Sequence, residues 1–235
     1  MRLVTPILLA ASILATLPAS AKPEGEAHQK PATEGAEPGK WTQDYDAALK
    51  VAKEKHMPLF VNFTGSDWCG WCIMMDKKIF SQKEWQDYAK ENLLLVTIDF
   101  PNNKELVPEK YKSRNQKLKR EFGIGGFPTF IVLDEDGKSK VGQLGASRDV
   151  SPKSFIQQVK GALKFSQAGI KEATAKFSPL KAKEYMGLLD AHKAAKKNLD
   201  DWLETRPERN DENLKKFDGF REEIQNTLAK IESFK

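Results

Sequence analysis

Apolar residues at Tyr45, Ala48, Leu49 and Ala52 follow three- and four-residue spacing, which predicts a surface helix across Trp41 to Lys55 that ends before Pro58. Pro58 to Thr64 holds an apolar run of strand length. Ile73, Met74, Ile79 and Phe80 then recur at helical spacing with no breaker. Ser81-Gln-Lys-Glu84 has the form of a capping box, so a short helix is expected to start there and pack through Trp85 and Tyr88. Leu93 to Asp99 is almost continuously apolar, the pattern of a strand buried on both faces. A loop with Pro101 and Pro108 follows, then a helix from about Asn115 to Phe122 closed by Gly123. Phe130 to Leu133 reads as a strand, Asp134-Glu-Asp-Gly137 as a hairpin turn leading to Val141, and Ser151-Pro152 as the start of a helix burying Phe155, Ile156, Val159 and Leu163. Early strands interleaved with helices and a late hairpin predict an α/β fold: a mixed sheet covered on both faces by helices.

The two ends of the chain behave differently. Arg2, an apolar stretch from Leu3 to Leu17 and an Ala19-x-Ala21 ending make residues 1–21 an expected signal peptide. The apolar stretch falls short of the roughly 20 residues of a membrane span. A periplasmic or secreted protein with no stable membrane insertion after cleavage is expected. Residues 22–40 contain no hydrophobe larger than Ala and read as a flexible linker. Residues 41–165 form the main domain. In residues 166–235, Ala182, Tyr185, Met186, Leu189, His192, Leu199 and Leu203, and then Leu214, Phe217, Phe220, Ile224, Leu228 and Ile231, keep helical spacing on either side of Pro207. They predict a helical hairpin extension capped at Asn210 or Asp211. Its stripes pack on each other or on the main domain in the simplest reading; a homodimer seam or a client-docking surface is the functional alternative.

The net charge is +5, and the densest basic stretch, Lys110 to Arg120, forms a solvated helix face around Leu118 and Phe122 rather than a nucleic-acid site. Only two cysteines occur, in Asp67-Trp-Cys-Gly-Trp-Cys72, so any cysteine chemistry passes through Cys69 and Cys72. A strand turning directly into a helix puts Cys69 at the helix N-terminus, where first-turn N–H groups and the helix dipole favour a thiolate, and puts the more shielded Cys72 one turn inside. Residues three apart on one helix face can cycle between dithiol and disulfide. A bridge closing so short a loop stabilises the fold little, which points to redox work in an oxidising compartment. Zinc would need further ligands, and neither His56 nor His192 lies at ligand spacing; no cofactor or metal is expected. Trp68, Trp71 and Phe127 are expected to share one exposed apolar rim suited to an unfolded or flexible polypeptide. Asp67 and Asp99 are left outside the site.

The combination of strand, Trp68-Cys69-Gly70-Trp71-Cys72, helix and then Gly126-Phe-Pro128-Thr opening a hairpin resembles the thioredoxin superfamily, over about Trp41 to Phe165. It is most similar to exported members akin to the C-terminal domain of the bacterial thiol:disulfide interchange protein. The resemblance implies a thioredoxin-like mixed sheet flanked by helices, here with a C-terminal helical extension. It implies a thiol-disulfide oxidoreductase, a reductase or isomerase of protein disulfides, that meets cysteine-containing protein substrates and an upstream thiol-disulfide electron donor. It also implies that Pro128 is a cis-proline facing the cysteines, bringing the Phe127 backbone beside Cys69 to pair with substrate. Asn62 stands nearest the place where thioredoxin carries a buried aspartate, and Leu95 about where it carries a lysine. A different class of function, a non-catalytic binding module whose helical C-terminal segment docks a partner, would survive replacement of Cys69.

Overall fold

The computed structural model describes residues 30–234, so the expected signal peptide and the first part of the expected linker lie outside the described residues. Five strands form one sheet in the order β1-β3-β2-β4-β5. β1 (Trp41–Thr42), β2 (Leu59–Thr64) and β3 (Leu94–Asp99) are parallel, while β4 (Thr129–Leu133) and β5 (Lys140–Gly145) run antiparallel as a hairpin. β2 is central, and β3 is buried at all six positions, as its continuous apolar run requires.

One sheet face packs on α1 (Tyr45–Lys55) and α4 (Glu109–Glu121) through Val61, Phe63, Val96, Ile98 and Leu118. The other packs on α2 (Gly70–Met75), a π-helical turn over Asp76–Phe80, α3 (Lys83–Asn92) and α5 (Pro152–Leu163). Phe60 is the hub there, stacked on Phe130 at 5.5 Å and meeting Trp85 edge-on at 5.1 Å. Large fully buried aromatics of this kind are the sites where truncation to Ala costs about 3–5 kcal/mol, so this cluster fixes the platform beneath the cysteine helix.

Several expectations need correction. Trp41 and Thr42 form a short parallel strand on β3 rather than the first turn of α1, which starts at Tyr45 behind the N-cap Asp44. Ser81 does not cap α3: its hydroxyl donates to Asp76 O, closing the π-helical turn, and α3 begins two residues later. α4 begins at Glu109, immediately after Pro108, rather than near Asn115. The segment 30–40, expected to be flexible linker, is held against the domain. Ala32 N–H donates to Trp41 O, Gly39 N–H to Leu93 O and the Tyr111 hydroxyl to Thr33 O, because backbone groups pair even where side chains offer little to bury.

The C-terminal hairpin is α7 (Pro179–Glu204) against α8 (Asp211–Ser233), with Asn210 as N-cap of α8. It is preceded by a helix the periodicity did not reveal, α6 (Gln167–Thr174), capped by Ser166. Phe165, Tyr185, Leu189 and Ile231 share a third apolar cluster, and His192 stacks on Phe165 at 4.9 Å. Buried Asp134, at the end of β4, accepts from Gln167 N–H at 2.8 Å and ties α6 to the sheet.

Candidate active site

β2 delivers the chain to the cysteines through a tight turn. At Gly65 the carbonyl accepts from both Trp68 N–H (3.3 Å) and Cys69 N–H (2.9 Å), and a Cβ there would run into the Trp68 indole. Cys69 is the N-cap of α2 in extended conformation, and its sulfur accepts from Cys72 N–H at 3.2 Å. The cysteines are joined in a disulfide with Cα atoms 5.2 Å apart. Both residues are 6% exposed, so the expected greater shielding of Cys72 is not seen in the bridged state; what distinguishes the two is their place on the helix.

The three residues before Cys69 hold the end of β3 and the segment that follows it. Ser66 donates from its N–H and its hydroxyl to Asp99, one bond to each carboxylate oxygen, at 3.0 and 2.6 Å. Asp67 accepts from Asn103 N–H (2.8 Å) and Asn102 N–H (2.9 Å), bonds that hold its carboxyl below the usual carboxylate range. Trp68 Nε1–H donates to Phe100 O at 2.8 Å. Asp99 is 7% exposed and burial pushes its pKa up, against the pull of the Ser66 bonds. Asp67 and Asp99, set aside in the sequence, thus organise the entrance to the site. The signal is Asp99 ending an otherwise apolar strand, but its partner 33 residues away is not written locally.

The Phe127–Pro128 peptide bond is cis. Since Phe63 of β2 pairs with Thr129 of β4, Pro128 lies at the start of β4 opposite the end of β2, from which the cysteine turn departs. The expected aromatic rim is split. Trp68 (48% exposed) meets Phe127 edge-on at 6.0 Å, and Phe127 stacks on Phe100 at 5.2 Å, with Lys119 Nζ 5.1 Å from the Phe127 ring. Trp71 (43% exposed) instead faces the Arg148 guanidinium at 5.6 Å. Phe100, Lys119 and Arg148 were not anticipated, because loop and helix residues join this surface only through the tertiary fold. Among the described residues no group of three or more His, Cys, Asp or Glu side chains is arranged to hold a metal ion, and no helix is long and apolar enough to cross a membrane.

A family model described as a thioredoxin-like domain matches residues 45–150. The disulfide bond reductase DsbH of Chlamydia pneumoniae is 35% identical over 155 residues, which span 65% of this chain and 91% of that protein. The thioredoxin-related protein DsbJ of the same organism is 30% identical over 107 residues, 45% of this chain and 30% of that protein. Among solved structures, a DsbH oxidoreductase is similar with 30% identity and a TM-score of 0.49, covering 66% of this chain and 95% of the other.

Proposed function

Given that the chain belongs to the thioredoxin superfamily, we propose that this thiol-disulfide oxidoreductase reduces protein disulfides in an exported compartment, the periplasm of a bacterium. Cys69 thiolate attacks a substrate disulfide, one substrate sulfur leaves, and Cys72 then attacks the mixed disulfide, releasing the second substrate thiol and closing the Cys69–Cys72 bridge. An upstream dithiol donor returns the pair to the reduced state. The observation that carries this reading is the helix-capping position of Cys69, whose sulfur accepts the Cys72 N–H. A donor aimed at that sulfur stabilises negative charge on the attacking atom. Ser66, Asp67 and Trp68 hold the approach to it, and Trp68 with Phe127 offers apolar surface to an extended substrate segment. The name of the Chlamydia pneumoniae relative supports reduction over isomerisation, and the leader-like residues 1–21 support export.

Between the cysteines Gly70 and Trp71 supply no charge and no histidine-type ring donor to stabilise the thiolate further. The pair is therefore expected to equilibrate with glutathione near thioredoxin's about −270 mV rather than the about −120 mV of strong oxidants. A potential more positive than about −150 mV would make the protein an oxidase and overturn the assignment. Reduction of insulin that vanishes in Cys69→Ala separates catalysis from a purely docking role.

A further inference from the structure

The sheet face beneath the cysteine helix changes character along its strands. Phe60 of β2 and Leu95 of β3 sit in register in the apolar core. Two and four residues further the same face carries Asn62 opposite Thr97 and Thr64 opposite Asp99. These four residues, Ser66 and Cys72 line one cavity of about 490 Å³. Buried Asn62 Oδ1 has no hydrogen-bond partner among the described residues. The lining is mixed, with Trp41, Ile73, Phe80 and Leu106 beside these polar residues, and ordered water is held where polar partners converge. Burying an acceptor without a partner destabilises the fold, and water in the cavity relieves that penalty.

We propose that Asp99, acting through water in this cavity, takes the proton from Cys72 during disulfide exchange and returns it when the pair is reduced. The inference rests on the reductase reading above. In the resolving step Cys72 S–H gives its proton through the cavity to the Asp99 carboxylate. The Cys72 sulfur then bonds to Cys69 Sγ, the bond from Cys69 to the substrate sulfur breaks, and the substrate leaves as a thiolate carrying the electron pair and takes its proton from solvent. When an upstream dithiol attacks the bridge at Cys69, Cys72 leaves as a thiolate and is protonated by Asp99. Asn62, on the neighbouring strand of the same face, has no ionisable proton and cannot do this.

The setting of Asp99 suits a proton carrier. Burial favours its protonated form, the two Ser66 bonds and the Phe100 N–H favour the anion, and the charge of Asp67 favours the acid again. Other charged groups facing the two cavities that Asp99 lines are Lys30 from the N-terminal segment, Asp76 from the π-helical turn, Lys104 from the loop after β3 and Lys112 from α4.

The test uses the full chain with a thionitrobenzoate mixed disulfide on Cys69, whose chromophore is released when Cys72 attacks. With Asp99 present, the release rate should rise with pH through an Asp99 limb and then level. Asp99→Asn should remove that limb and slow release roughly a hundredfold at neutral pH, the low end for losing a general base. Ser66→Ala keeps the carboxylate and the backbone N–H bond to it but removes the hydroxyl donor to its anion, so the limb should move to higher pH. Equal slowing by both variants with an unmoved pH profile would make Asp99 a loop brace only and overturn the proposal, as would a limb that Ser66→Ala leaves in place. A second readout needs no turnover. In reduced Cys69→Ala protein, thiolate absorbance reports Cys72 alone, and Asp99→Asn should lower its midpoint by removing a nearby like charge; an unchanged midpoint overturns the assignment. Failure of the reductase reading is seen separately, as absent Cys69-dependent insulin reduction in the unsubstituted chain.

Discussion

The backbone N–H of Cys72 points at the sulfur of Cys69, 3.2 Å away, so the outer cysteine caps the helix by accepting a bond that the inner cysteine donates. The two thiols are therefore not equivalent, even though both residues are equally buried in the bridged state. The sulfur at the helix start gains from first-turn donors, and the sulfur one turn inside does not.

That asymmetry predicts which variant holds a substrate. Cys72→Ser should accumulate mixed disulfides with cysteine-containing proteins, because Cys69 attacks and nothing resolves the bond. Cys69→Ser should accumulate none. Non-reducing electrophoresis after acid quenching checks this, and equal accumulation by the two variants would contradict the assigned roles.

Trp68 is fixed by its indole N–H on Phe100 O and by its edge contact with Phe127, over the space that a Cβ at Gly65 would fill. Trp68→Ala and Gly65→Ala should each lower kcat/KM for a protein disulfide by roughly 2- to 10-fold, the worth of one aromatic contact. Exchange with a small disulfide such as oxidised glutathione should be nearly unchanged. A matching loss with the small disulfide would mean the aromatic group supports the cysteine turn rather than the substrate.

Asp134 joins the sheet to the C-terminal helices. One carboxylate oxygen accepts from Glu135 N–H at 2.9 Å and the other from Gln167 N–H at 2.8 Å, in a residue 4% exposed. Asp134→Ala leaves the Gln167 donor unpaired at the start of α6 and should cost about 1–3 kcal/mol. Urea unfolding followed by tryptophan fluorescence reads the change in midpoint.

His192 gives the hairpin a pH dependence. Its Nδ1 meets Thr227 Oγ1 at 2.9 Å and its ring stacks on Phe165. Burial, followed by the charge of Lys196, holds its pKa below the ordinary 6.5. The folded protein thus binds this proton less readily than the unfolded chain. The contribution is fully present above about 6.5, and it is lost as pH falls from there through the lowered folded value. Thermal melts of the unsubstituted protein should drop across that window, and His192→Gln should flatten the drop. An equally steep fall in the variant would assign the acid sensitivity to other groups.

Much of the molecule was determined by the sequence itself. The almost continuously apolar run at Leu93–Asp99 reads as a strand covered on both faces, Gly123 at φ 64° closes α4 where the periodicity stops, and Ser151 and Asn210 cap the helices that follow them. The cysteine pair was legible because its chemistry is written in neighbouring residues, and the cis bond before Pro128 was legible only through the family resemblance. Tertiary structure alone decided the rest. Trp71 parted from Trp68 and Phe127 to lie on Arg148, a residue of the distant loop after β5. Ser66 met Asp99, and Asp67 met Asn102 and Asn103, because parallel pairing of β2 with β3 sets Thr64 beside Asp99 and so brings the two strand ends together. Periodicity tells which side of its own element a residue occupies, but only the register between strands tells what it faces. The polar row of Asn62, Thr64, Thr97 and Asp99 beneath Cys72 exists in that register and nowhere in the linear chain.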